Sequence, residues 1–80
     1  MTADERKATL DTARAQIDRV IAISSAGLIE LGFSGRLRVF MLASEVPLLD
    51  ACGSDEQIGE FIAEVRSFVA KVAPGGEVLS

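Results

Sequence analysis

Near the middle of the chain, in the stretch SGRLRVFMLASEV (residues 34–46), Val39, Phe40, Met41, Leu42 and Ala43 follow one another with no polar side chain between them. A segment that is apolar on every side must be covered on more than one side, by its own chain or by a partner. The run is first tested as a strand. Leu37, Val39 and Met41 alternate with Arg36, Arg38 and Phe40, and Val-Phe is strand-prone. The alternation fails at Leu42, and no second segment offers a partner strand. As a helix with Ser34 at its N-cap, the stretch divides into two stripes. Leu37, Phe40, Met41 and Ser44 form one, assigned here to the core; Val39, Leu42, Ala43 and Val46 form the other, either a second core face or a contact surface. Pro47 disfavours helical geometry at Val46, so the helix is expected to stop there, with a short separate helix over residues 47–52 ended by Gly53.

The flanking segments are amphipathic. Thr2-Ala3-Asp4-Glu5 is a capping box, a Thr hydroxyl with a Glu three residues later. Leu10, Ala13, Ile17, Val20, Ser24, Gly27 and Leu31 then follow helical spacing, while Lys7, Asp11, Arg14 and Asp18 pair along the opposite face. The spacing predicts a helix over about residues 4–26 with an extension to Leu31, and Gly32 as its left-handed C-cap. Ser54-Asp55-Glu56-Gln57 is a second capping box, after which Ile58, Phe61, Ile62, Val65, Phe68, Val69 and Val72 recur on one helix face. Pro74-Gly75-Gly76 ends that helix. The expected architecture is all-α, a small bundle of three main helices plus one short helix after Pro47. Residues 1–73 form the domain and 74–80 a flexible tail.

Composition narrows function by exclusion. With 80 residues and 5% aromatics, the core is small and aliphatic, and 49% apolar residues leave a surplus that favours a homodimer or a partner. A net charge of −4 and a pI near 4.6 argue against nonspecific nucleic-acid binding. There is no histidine, so imidazole catalysis and ligation are absent, and the single Cys52 has no second thiol to pair with. One cysteine, a charged start without an apolar leader and a longest uncharged run of only residues 20–29 read as a cytoplasmic, soluble protein. Gly32-Phe33-Ser34-Gly35 lacks the spacing of a nucleophile elbow. Six acids from Glu45 to Glu64, with no base among them, form a solvated helix start or an acidic face for a basic partner. Arg36 and Arg38 lack a wider basic patch, which leaves a helix-turn-helix DNA reader as a distant alternative.

The charged start TADERKATLDTARAQIDRV, the apolar centre RLRVFMLASEV and the acidic helix SDEQIGEFIAEV together resemble, in outline, the small helical QseM-like anti-activators of quorum-sensing-controlled mobile genetic elements. That resemblance implies a protein that silences transcriptional activators by contact. The residues themselves point to a non-enzymatic interaction module without cofactor or metal. Its expected partner surface is an apolar patch of Val39, Leu42 and Val46 with Glu45 and Asp50 at the rim; the alternative is a structural homodimerisation domain. Full burial of the last helix's apolar face is worth about 1.5–3 kcal/mol for each large side chain. Ile62→Asp or Val65→Asp is therefore expected to unfold the protein, and a helical circular-dichroism spectrum from either variant would remove this face from the core.

Overall fold

The computed structural model describes residues 1–72, which form α1 (Ala3–Ser25), α2 (Gly32–Cys52) and α3 (Asp55–Val72), with no strand among them. The order of contacts sets the architecture. α1 packs extensively on both α2 and α3, whereas α2 and α3 meet only sparsely. α1 runs antiparallel to α2, since Arg6 reaches the end of α2, and parallel to α3, since the Met1 amino group lies 2.9 Å from the Asp55 carboxylate. Pro74-Gly75-Gly76 and the proposed tail fall outside the described residues.

The core is aliphatic, as the composition requires. Leu10, Ala13, Ile17 and Val20 of α1, Val39 and Leu42 of α2, and Ile58, Phe61, Val65 and Val69 of α3 form one buried cluster. The reading of α3 stands at every position: Ile62, Phe68 and Val72 pack against the same cluster. On α1 the seam continues through buried Ile23, while Ser24 is half-buried and Gly27 exposed.

Both capping boxes form. Thr2 Oγ1 accepts from the Glu5 amide and the Glu5 carboxylate accepts from the Thr2 amide, each at 3.1 Å. Hydrogen bonding to the carboxylate from the Thr2 amide first, and then from the Thr2 side chain, holds the Glu5 carboxyl below its ordinary range. Ser54 and Gln57 exchange the same pair at 2.9 and 3.1 Å. The end of α1 differs from expectation. Gly27, at φ +78°, is the left-handed residue; its amide donates to Ser24 at 3.1 Å and that of Leu28 to Ile23 at 2.9 Å. This is a Schellman closure, and it stops the helix at Ser25. Gly32 also has a positive φ, of 70°, but it opens α2 instead of closing α1. Ser34 is not the N-cap: α2 begins two residues earlier, without a side-chain cap.

α2 also runs unbroken through Pro47. The separate short helix expected there is not formed. Pro47 cannot donate to the Ala43 carbonyl, a loss that ordinarily breaks a helix. Against that loss stands the packing of Leu49, two residues beyond Pro47 and one turn beyond Val46, on the same face as Val39, Leu42 and Val46, all against the common cluster. The proline ring itself is exposed, on the outer side of the helix.

The turn between α2 and α3 is only Gly53 and Ser54, and it is secured from α1. A Cβ on Gly53 would lie 2.7 Å from Leu49 Cδ2 and 2.8 Å from the Leu49 carbonyl oxygen, so glycine is required by the close approach. Arg6 donates from Nη1 to the Gly53 carbonyl at 2.6 Å and from Nη2 to the carbonyls of Leu49 and Asp50 at 2.7 and 3.3 Å. The Leu49 carbonyl also accepts from the Gly53 amide at 2.9 Å; a helix end leaves its last carbonyls short of such donors, and a cation is the favoured group there. Charge-assisted bonds of this kind contribute about 1.5–3 kcal/mol. Arg6→Ala is expected to lower the melting temperature by several degrees, and Arg6→Lys to recover little, because a lysine lacks the planar fork. An unchanged thermal transition in the alanine variant would show that water caps these carbonyls equally well.

Candidate interaction face

α2 carries apolar residues on two opposite faces. Successive residues turn by about 100° around a helix. Gly35, Val39, Leu42, Val46, Leu49 and Gly53 therefore lie on one side, and this is the side that meets α1 and α3. The same geometry sends Phe33, Leu37, Phe40, Met41, Ser44 and Leu48 to the other side. There Phe33 and Phe40 are each 74% exposed, Leu48 64%, Met41 59% and Leu37 49%.

The expected division of the central stretch is thus reversed. Leu37, Phe40 and Met41 were assigned to the core and stand outside it. Val39 and Leu42, the centre of the expected partner patch, are core residues at 5% and 1% exposure, and Val46 is half-buried against the same cluster. The Val39 stripe is a core face, as one of the two expectations had it, but α2 is covered on that side alone and its other stripe stays exposed. Glu45 and Asp50 are exposed, so the acids of the expected patch are at the surface without its apolar centre.

Two residues of the outer face, Phe33 and Leu48, escaped the sequence reading because the helix was started at Ser34 and stopped at Pro47. A single helix over residues 32–52 puts both in line with Leu37, Phe40 and Met41 by spacing alone. Arg6 was also missed. It is one of four bases on α1, and the backbone carbonyls it binds leave no mark in the sequence.

The face continues across the α1–α2 groove. Ile21, half-exposed near the end of α1, and Phe40 border a largely apolar cleft of about 240 Å³ floored by Val39, Leu31 and Ala43, with Arg36 at its edge. On the far flank Arg38 pairs with Glu64 of α3. Among the described residues no charged side chain is buried, no group of three His, Cys, Asp or Glu is placed to hold a metal ion, and no helix is long and apolar enough to cross a membrane. Cys52 is exposed, its thiol donating to the Leu48 carbonyl at 3.3 Å. The side chains this face presents can exclude water from a complementary apolar surface. Compared with protein-family models, curated protein sequences and solved structures, the chain matches none.

The two faces of α2 should respond differently to truncation. Leu42→Ala is expected to cost about 2–5 kcal/mol, and Phe40→Ala to stay within about 0.5 kcal/mol of the parent. Urea denaturation measures both; equal losses would place Phe40 in the core.

Proposed function

We propose that the protein is a non-enzymatic regulatory interaction module that works through the outer face of α2. The observation that carries this reading is the exposure of Phe33, Leu37, Phe40, Met41 and Leu48 along one helix face. A contiguous apolar patch beyond a few hundred Å² on a small domain marks a surface that another molecule covers. A helix with apolar anchors at three- and four-residue steps is a common form of such a surface.

In the leading version the partner is a transcriptional activator or another DNA-binding protein, which the module inhibits by occupying it. The resemblance to QseM-like anti-activators supplies that class of partner, and Glu45 and Asp50 beside the face suit a basic one. A cytoplasmic setting belongs to the same reading and rests on the lone exposed thiol of Cys52. A second reading, self-association, is favoured by the order of sizes and charges along α2.

The test is a paired measurement on the Leu37→Ser/Phe40→Ser variant. Its helical circular dichroism and thermal transition should match the parent, while affinity for an activator captured by the parent falls by about thirtyfold or more, the loss typical of central interface anchors. Undiminished capture by a folded variant would remove this face from the function.

A further inference from the structure

We propose that the outer face of α2 is closed by a second copy of the same chain, the two α2 helices packing antiparallel about a two-fold axis. The proposal rests on the reading of that face as an interaction surface and takes self-association, the second reading above, for its occupant.

Side-chain size is the first argument. Along the middle of the face, Phe33, Leu37, Phe40, Ser44, Pro47 and Ala51 recur at alternating steps of four and three residues, and all are exposed. That is the spacing of a seam between paired helices. Its first three members are large and its last three small. Antiparallel pairing sets Phe33 against Ala51 of the second copy, Leu37 against its Pro47 and Phe40 against its Ser44, so every bulky side chain meets a small one. Parallel pairing sets phenylalanine on phenylalanine at one end and leaves the small residues facing each other at the other. Close packing favours the first arrangement.

Charge follows the same order. Arg36 and Arg38 stand in the first half of α2, Glu45 and Asp50 in the second, so the helix is neutral within a chain of net charge −4. This order runs against the helix's own macrodipole, which favours acids in the first turn and bases in the last; α2 has neither. Inside its own chain Arg38 is accounted for by its pair with Glu64 of α3, but the dipole gives no reason for the places of Arg36 and Asp50. In the antiparallel register set by the seam, Arg36 falls beside Asp50 of the second copy, and the two-fold repeats that pair. Among the described residues neither Arg36 nor Asp50 is in an ion pair within its own chain. An interface of this kind uses one patch twice, which demands the self-complementarity seen here.

Area and access are compatible. The two phenylalanines alone, each 74% exposed, offer roughly 300 Å². Leu37, Met41 and Leu48 carry the face toward the lower end of stable interfaces, about 600 Å² per partner. α1 and α3 lie on the opposite side of α2 and leave the approach open. Repulsion between the two net charges is screened over about 8 Å at physiological salt.

The experiment combines sedimentation equilibrium with site-directed cross-linking in full-length protein carrying Cys52→Ser. Met41 lies beside the two-fold axis, opposite Met41 of the second copy, so Met41→Cys should form a disulfide-linked dimer under mild oxidation. Phe33→Cys, near the seam's end and far from its own copy, should not. Arg36→Asp and Asp50→Arg should each weaken the dimer by about tenfold, and the double exchange should restore it. Equal linking at both cysteines, or a monomer from micromolar to millimolar concentration, overturns the proposal. A monomer whose Leu37→Ser/Phe40→Ser variant has lost its activator overturns the second copy alone. A monomer whose variant keeps the activator overturns the interaction face as well.

Discussion

Everything in this fold depends on α1 serving two neighbours with one apolar seam. Leu10, Ala13, Ile17, Val20 and Ile23 lie along a single stripe, yet α2 and α3 both dock on it while barely touching each other. A helix packed between two others can be covered on both sides; a helix packed on one side cannot. α3 is suited to its position, because its apolar residues occupy one face and its acids and bases the other. α2 is not. It has apolar residues on both faces and a single neighbouring layer, so one face is left in solvent whichever way it turns.

The face that α2 buries is the one with small and branched side chains between glycines. Val39, Leu42, Val46 and Leu49 pack on the common cluster, and at the turn a Cβ on Gly53 would lie 2.7 Å from Leu49 Cδ2. Phe33, Phe40 and Met41 on that side would have to displace this packing. Burial of larger side chains stabilises more per residue, but only where the space exists to receive them. The Arg6 fork completes the arrangement by tying the start of α1 to the end of α2 through backbone carbonyls. Because those acceptors belong to the backbone, they leave no trace in residue identities.

Two features of α2 are awkward for a helix considered alone: the proline inside it and charges opposed to its dipole. The first is tolerated because the packed face extends past Pro47 to Leu49, so tertiary contact outweighs a lost hydrogen bond and a restricted residue before proline. For the second, among the described residues only Arg38 finds an ion-pair partner inside the fold, Glu64 of α3; Arg36, Glu45 and Asp50 do not. Features that cost a helix something and gain nothing within its own domain point outward, toward whatever covers the exposed face.

Much of the architecture was legible from residue order. Both capping boxes, the seam of α1 through Val20, all seven apolar positions of α3 and the all-helical class follow from spacing and from the hydrogen-bonding habits of Thr, Ser, Glu and Gln, which act within a few residues. The course of α2 was not legible, since its continuation through Pro47 depends on contacts with α1. Nor was the choice between its faces. Val39-Leu42-Val46 and Leu37-Phe40-Met41 are both apolar stripes with helical spacing, and nothing local distinguishes them. The sequence by itself determined that α2 would have two apolar faces and that one would need covering. Only the tertiary structure decided which, because the choice depends on which stripe fits the surface that α1 and α3 present together, and no local residue pattern carries that fit.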